Sequence, residues 1–208
     1  MAIAAPELIY LDDSLLVVNK PPGLLSVPGR GPDKQDCLSA RVLEIIPDAL
    51  IVHRLDMATS GLLVFARGIE IQRQLSAMFR ERKVEKRYVA VVSGKMAQSS
   101  GEVDLPIVAD WPNRPLRKID TLLGKHSLTR YALLAFNPES DSCRLQLEPV
   151  TGRTHQLRLH MAAIGHPILG DTLYGGREDE RLKLHASNLN FAHPESGKML
   201  DFTSVAAF

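Results

Sequence analysis

The apolar residues of this chain are grouped in short runs of strand length, and this grouping constrains the fold more than any other feature. The longest runs, such as residues 132–136, are far too short to cross a membrane. The clearest strand patterns cover residues 8–11, 15–19, 62–66, 88–92, 130–135, 144–148, 189–191 and 199–202. Residues 144–148 alternate apolar and polar side chains, as expected for a strand with one buried face.

Helical patterns lie between these strands. The sequence predicts helices over residues 36–47, 69–82 and 154–164. Asp36 could cap the first helix, and Gly165 with Pro167 beyond it would end the third. Because the helices do not alternate regularly with the strands, we expect an α+β fold with a mixed, largely antiparallel sheet. We also expect residues 1–208 to form a single domain.

The composition and the two cysteines indicate a folded protein of the cytosolic type. The chain has 208 residues, of which 45% are hydrophobic and 24% are charged, as in folded soluble proteins. Its first residues lack the basic flank and apolar stretch of a secretory signal. Cys37 and Cys143 are far apart in sequence and are typical of reduced cysteines in a cytosolic protein. We expect a cytoplasmic protein, and a monomer because no long heptad pattern is present.

Two local clusters of basic residues are more informative than the formal net charge of +1. Residues 80–87 read RERKVEKR, with five basic side chains and two acidic ones. A second cluster, Arg114, Arg117 and Lys118, lies beside Trp111 in the sequence. Each cluster is consistent either with a solvated charged face or with binding to phosphate groups of a nucleic acid.

A polar segment interrupts the apolar stretch IVHRLDMATSGLLVFAR at residues 51–67. Asp56 lies close to two strand ends, where a carboxylate is partly desolvated and needs a cationic or hydrogen-bonding partner. Asp56 could therefore be a reactive group, or it could organise the turn together with Thr59 and Ser60. The residues of this segment alone leave both interpretations open.

A second polar segment, VTGRTHQLRLHMAAIGHPILG, covers residues 150–170. Arg153 follows a glycine at the predicted junction of a strand and a helix. Arginine suits a carboxylate that must stay ionised, because it keeps its proton and can donate to both oxygens. His155 and His160 are five residues apart and do not share one face of a helix, so we expect no metal site.

These segments resemble motifs of the RluA-type pseudouridine synthases. HRLD at residues 53–56, followed by TSG at residues 59–61, is similar to the catalytic loop of that family. Further similar segments are KPPGL at residues 20–24, KRYVA at 86–90, GRTHQLR at 152–158, GHPILGD at 165–171 and LHA at 184–186. They follow the order found in the family and cover nearly the whole chain. SVPGR at residues 26–30 and DWPNRP at 110–115 are similar to its compact branch.

The resemblance implies an isomerase that converts uridine in RNA to pseudouridine and needs no cofactor or metal. It also implies the pseudouridine synthase fold, with helices flanking the sheet and a central RNA-binding cleft. Members of the compact branch act on large-subunit rRNA and on the anticodon stem-loop of tRNA. Longer relatives carry a small N-terminal RNA-binding domain. We expect this chain to lack that domain.

The resemblance also implies roles for individual residues. Asp56 is expected to be the nucleophile, Arg153 to keep it ionised, and Tyr88 to stack on the target base and assist the final proton removal. Contacts to RNA are expected from His53, Arg54, Leu55, Thr59, Arg80, Lys86, Arg114, Arg117, His155 and Arg158. The sequence leaves open whether Asp56 attacks the ribose, attacks the uracil ring or deprotonates the sugar.

Two other functions are compatible with part of the sequence. An RNA-binding protein without catalytic activity would explain the basic clusters but not the pairing of Asp56 with Arg153. A hydrolase of N-glycosidic bonds would also place a carboxylate near ribose. Hydrolysis usually requires a second carboxylate or a held water, and no second carboxylate is evident near Asp56.

Overall fold

The computed structural model describes residues 5–208, and the elements below refer to them. The strands are β1 (Glu7–Leu11), β2 (Leu15–Lys20), β3 (Ala49–Ile51), β4 (Ser60–Arg67), β5 (Glu85–Ser93), β6 (Ser100–Asp104), β7 (Ile107–Ala109), β8 (Arg117–Ile119), β9 (Leu128–Asn137), β10 (Ser142–Pro149), β11 (Leu184–Ala192) and β12 (Met199–Thr203). The α-helices are α1 (Leu38–Leu43), α2 (Ile69–Arg80) and α3 (Gln156–Ala163). Eight of the strand pairings are antiparallel, namely β1–β2, β2–β4, β3–β4, β5–β10, β9–β10, β6–β9, β7–β8 and β11–β12. This largely antiparallel sheet with three α-helices confirms the predicted α+β class.

The described chain divides into two compact units. Unit 1 contains residues 5–86 and Ala186–Ala207, and unit 2 contains Arg87–His185 with Phe208. The single domain expected for residues 1–208 stays a prediction, and residues 1–4 of that range lie outside the described residues.

Unit 1 is built around β4. This strand pairs with β2 and β3, and its neighbour opposite β2 is β11. Seven of its eight residues are buried, so it reads as a continuous apolar run rather than as an alternating pattern. Leu62 and Val64 pack with Leu75 of α2 and with Phe191 of β11 in one apolar cluster. The helix predicted over residues 69–82 is therefore confirmed, and it ends at Arg80.

Unit 2 contains the antiparallel order β5–β10–β9–β6, a short β7–β8 hairpin and α3. The buried His160 holds α3 in this unit. Its Nδ1 lies 2.9 Å from Thr129 Oγ1, and its Nε2 lies 2.9 Å from the carbonyl oxygen of Leu105. Burial lowers the pKa of His160 below its ordinary value, so the imidazole is neutral at neutral pH. His160 is therefore a structural residue.

The structure corrects two details of the sequence prediction. Helix α1 is shorter than the predicted helix over residues 36–47, and Cys37 caps it by accepting a hydrogen bond from Ala40 N at 3.5 Å. The carboxylate of Asp36 instead pairs with Arg41 at 2.7 Å. Cys37 and Cys143 are buried free thiols. No helix within residues 5–208 is long and apolar enough to span a membrane.

Gly61 sits where β4 and β11 approach each other too closely for a side chain. Its φ is +114°, and a Cβ would lie 2.3 Å from the carbonyl oxygen of Ala186. We expect Gly61→Ala to lower the free energy of unfolding by about 3 kcal/mol or more, measured by urea unfolding. Gly152→Ala is the control, since its Cβ would meet no atom within 4 Å. Equal free energies of unfolding for the two variants would show that β4 and β11 can move apart to accept a side chain without loss of stability.

Candidate active site

The segment that joins β3 to β4, residues 52–59, is called the Asp56 loop below. Its backbone is fixed at the residue before the carboxylate. Ser26 Oγ donates to the carbonyl oxygen of Leu55 at 2.8 Å and accepts from Leu55 N at 3.1 Å. Thr59 N donates to the carbonyl oxygen of Asp56 at 3.1 Å, which closes a turn. The predicted turn around Asp56 is therefore present, and it leaves the role of the Asp56 carboxylate open.

A buried lysine fixes the residue after the carboxylate. Lys20 is 0% exposed, and its Nζ donates to the carbonyl oxygens of Leu24 at 2.7 Å, Pro21 at 2.9 Å and Met57 at 3.0 Å. Three carbonyl dipoles compensate for the water that the ammonium loses on burial. Gly23 N also donates to the carbonyl oxygen of Met57 at 2.8 Å. Both peptide neighbours of Asp56 are therefore fixed by hydrogen bonds.

This role of Lys20 was not predicted, although the KPPGL segment was recognised as a motif. A usable signal exists in the sequence. A lysine at the end of an apolar strand is followed by two prolines, which have no backbone N–H to donate. This pattern indicates an ammonium group that donates hydrogen bonds to the carbonyl oxygens of an irregular backbone.

His53 ties the start of the Asp56 loop to unit 1. Its ring stacks on Phe79 with centroids 4.4 Å apart and an interplanar angle of 22°. Its Nε2 accepts a hydrogen bond from Val64 N at 3.1 Å, so a neutral ring carries its proton on Nδ1. Burial, and secondarily the charge of Lys86, lowers the pKa of His53 to about 3. His53 is therefore neutral at physiological pH and cannot offer a positive charge to phosphate.

The other predicted residues of unit 1 differ in exposure. Arg54 and Arg80 are exposed, and Asp56 and Lys86 are partly buried. Leu55 and Thr59 are 4% and 3% exposed. The last two side chains therefore serve mainly to shape the loop, and an RNA contact by either stays a prediction.

In unit 2 a buried glutamine fixes the backbone of Arg153. Gln156 Oε1 accepts from Arg153 N at 3.0 Å and from Thr151 Oγ1 at 2.7 Å. Its Nε2 donates to the carbonyl oxygen of Leu128 at 2.9 Å and to Thr129 Oγ1 at 3.1 Å. Because α3 begins at Gln156, Arg153 lies in the turn between β10 and the helix, where the strand–helix junction was predicted. The Arg153 side chain is exposed.

His155 and Arg117 meet at one hydroxyl group. The Tyr174 hydroxyl accepts a hydrogen bond from Arg117 N at 2.9 Å and lies 2.8 Å from His155 Nδ1. The backbone of His155 is left-handed, with a φ of 57°. Tyr174 therefore connects strand β8 to the turn that carries Arg153. Tyr174 was not among the predicted site residues, because its partners Arg117 and His155 lie 57 and 19 residues away in the sequence.

Arg158, one of the predicted RNA-contacting residues, is buried in an ion pair, and an RNA contact by it stays a prediction. Its guanidinium is 5% exposed and binds both oxygens of Asp171, at 2.7 and 2.8 Å. Asp171 Oδ1 also accepts from Leu173 N and Tyr174 N. A buried bidentate pair of this kind supports the fold and leaves the guanidinium enclosed. Helical spacing alone could not show that Asp171 would be its partner.

Tyr88 lies in β5, opposite Leu147 of β10, and is partly buried. Asp56 belongs to unit 1, whereas Tyr88 and Arg153 belong to unit 2, so the predicted pairing of Asp56 with Arg153 stays a prediction. Residues 5–208 contain no group of three or more His, Cys, Asp or Glu that could hold a metal ion.

Comparisons with known proteins agree with the resemblance of the motifs. The family model for RNA pseudouridylate synthase matches residues 14–163. The chain is 48% identical to the dual-specificity RNA pseudouridine synthase RluA of Yersinia pestis, over 96% of this chain and 98% of the relative. It is 46% identical to the protein of the same name from Escherichia coli K12, over 97% and 93%.

A solved structure shows the same fold. The human RNA Pseudouridylate Synthase Domain Containing 1 aligns with a TM-score of 0.80 and 27% identity, over 99% of this chain and 86% of that one. A second human protein, RNA Pseudouridylate Synthase Domain Containing 4, aligns with a TM-score of 0.79 and 24% identity, over 96% and 88%. The predicted fold class is therefore confirmed.

The low pKa of His53 gives a testable dependence of stability on pH. The unfolded chain protonates His53 below pH 6.5, whereas the folded protein resists protonation down to about pH 3. Its contribution to stability is therefore complete above pH 6.5 and is lost as the pH falls towards 3. We expect the stability advantage of the wild type over His53→Gln, measured by urea unfolding, to shrink over this range.

Arg54→Gln is the matched control, because arginine does not titrate in this range. Its difference from the wild type should change much less between pH 6.5 and 3 than that of His53→Gln. Parallel stability curves for the wild type and His53→Gln would contradict the assignment of a neutral, partly buried imidazole.

Proposed function

Since the chain belongs to the RNA pseudouridylate synthase family, we propose that it isomerises specific uridines in large-subunit rRNA, in the anticodon stem-loop of tRNA, or in both. The enzyme is an isomerase of uridine in RNA. The relatives from Yersinia pestis and Escherichia coli are named as dual-specificity enzymes, and the identity of 46–48% extends over nearly the whole of each chain. We further propose that the enzyme works in the cytoplasm as a monomer.

The observation that carries the proposed chemistry is the fixed backbone on both sides of Asp56. Pseudouridine formation breaks the bond from ribose to the uracil nitrogen, turns the base and forms a bond from ribose to a ring carbon. The proton on that carbon is lost and the nitrogen gains one, so no net oxidation occurs. One nucleophilic carboxylate can hold or trigger the detached state. A carboxylate held at a defined position is suited to this step because its orientation is set before the substrate binds.

We assign the neighbouring roles to Arg153 and Tyr88. Arg153 would keep Asp56 ionised, and the hydrogen bond from its backbone to Gln156 supports a defined starting position for its side chain. Tyr88 would stack on the target base, and its hydroxyl would assist removal of the ring proton. Support for both roles comes from the family motifs and from the order of those motifs in the chain.

The target uridine must leave its stack before Asp56 can reach it. Arg54 is exposed, and it directly precedes Leu55, whose backbone is held by Ser26. We assign to the planar guanidinium of Arg54 the task of filling the space that the base vacates. Contacts to the phosphate backbone would come from Arg80, Lys86, Arg114 and Arg117, which are exposed or partly exposed.

Asp56→Asn tests the catalytic assignment. The amide keeps the size of the carboxylate but cannot act as a nucleophile, so we expect the rate to fall on the order of 10⁴-fold. The assay uses RNA with tritium on the uracil carbon that forms the new bond, and it measures tritium released to water. An RNA-binding protein without activity would release none, and a hydrolase would leave abasic sites. An Asp56→Asn enzyme with the wild-type rate would refute the assignment.

Arg54→Ala tests the proposed base flipping. We expect its catalytic efficiency to fall on the order of tenfold more for a folded stem-loop than for an unstructured oligonucleotide with the same target uridine, because only the stem-loop must be unstacked. The tritium-release assay on the two substrates gives both values. Ser39→Ala, a change in α1 outside the assigned site, serves as the control. Equal losses on the two substrates would reject the role of Arg54.

A further inference from the structure

Trp111 is the single tryptophan of the chain, and its side chain stands out by its exposure. It lies in the turn between β7 and β8 and is 66% exposed. Aromatic side chains of this size are usually largely buried, because their apolar area is unfavourable in water. An indole held in solvent on a structured turn is therefore available to stack on a ligand.

The turn that carries Trp111 is held by its own hydrogen bonds. Asp110 N donates to the carbonyl oxygen of Leu116 at 3.1 Å, and Leu116 N donates to that of Asn113 at 2.9 Å. Asn113 N and Nδ2 donate to the backbone and side chain of Asp110, at 3.1 and 2.9 Å. These bonds limit the conformational entropy that the turn would lose on binding a ligand.

One face of the indole is already covered by a cation. Arg114 Cζ lies 3.4 Å from the centroid of the Trp111 ring, the distance of a stacked guanidinium. Since that face is occupied, the exposure of Trp111 must come mainly from the opposite face and the ring edges. The turn therefore presents a flat aromatic surface with a positive charge behind it.

The charged side chains near Trp111 favour some kinds of ligand over others. Arg114, Arg117 and Lys118 are the basic residues, and Asp110 and Asp120 are the acidic ones. Asp110 accepts from Asn113, and Asp120 accepts from two backbone amides and lies 3.7 Å from Lys118. The excess positive charge beside one open aromatic face fits a base and its phosphate. An apolar protein partner would require a wider apolar area than one indole supplies.

We propose that Trp111 and Arg114 form a stacking platform for one unpaired nucleobase of the RNA substrate, with Arg117 and Lys118 contacting the adjacent phosphates. This inference rests on the proposed function and goes beyond it. A base in a duplex has both faces covered by its neighbours, so the platform selects RNA that has an unpaired nucleotide in addition to the target uridine. The platform is thus a determinant of substrate choice.

The unmodified protein provides the first test, because all tryptophan emission comes from Trp111. The probes are an RNA hairpin with an unpaired loop and a fully paired duplex with the sequence of its stem. We expect the hairpin to quench the emission with the same Kd that filter binding gives, and the duplex to quench it much less. Unchanged emission at saturation with the hairpin, or equal quenching by both RNAs, overturns the proposal.

Variants provide the second test. Stacking on an aromatic side chain strengthens binding substantially, so we expect Trp111→Ala to raise KM about tenfold with kcat nearly unchanged. Trp111→Phe retains a ring and should restore most of the affinity. Arg114→Lys keeps the charge without the planar group and should give an intermediate KM. Leu122→Ala is the control, since Leu122 is 91% exposed and lies in a different turn of the same unit.

The outcomes separate this inference from the proposed function. If the wild type releases no tritium from any uridine-containing RNA, the proposed function fails. If the wild type is active and Trp111→Ala has the wild-type KM, only the platform fails. Urea unfolding of each variant confirms its folding, and the emission of the wild type decides the question if Trp111→Ala does not fold.

Discussion

The buried ammonium of Lys20 is the interaction on which the candidate site depends. A charge without contact to water is costly unless polar groups surround it, and here the carbonyl oxygens of Pro21, Leu24 and Met57 do so. These carbonyls come from two segments that are far apart in the sequence. The irregular backbone after β2 and the backbone beside Asp56 are therefore held by one cation, and neither could shift without leaving that cation less well satisfied.

This constraint explains why Asp56 can lie in a turn and still be well positioned. Ser26 holds the peptide before it, Lys20 holds the peptide after it, and His53 holds the start of the loop through Phe79 and Val64. All of these contacts are made by groups that are buried or partly buried, so water competes little for them. A residue in a turn is ordinarily mobile. At Asp56 the hydrogen bonds restrict the backbone, while the residue itself remains partly exposed to solvent.

Sequence reasoning predicted the elements with strong local signals. The β1–β2 hairpin, helix α2 and the closing pair β11–β12 follow from periodicity and turn residues. Strands β7 and β8 were missed because three residues carry too little periodic signal, and β6 was missed because its sequence SGEVD has one apolar side chain, Val103. In the candidate site, Asp56 and Arg153 were found through motifs. The contacts of Lys20 with Met57 and of Arg158 with Asp171 could not be found, because the partners lie 37 and 13 residues away in the sequence.

The arginines show why residue type alone could not assign function. Arg158 and Arg114 both occur in motif segments and carry the same charge. The guanidinium of Arg158 is buried and donates to both oxygens of Asp171, so it serves as a structural ion pair in the interior. Arg114 instead stacks on the face of Trp111 and is exposed, so its guanidinium can donate hydrogen bonds to water or to a ligand. The number of hydrogen bonds that a cation in this protein can offer to a ligand therefore depends on how many acceptors its surroundings already provide.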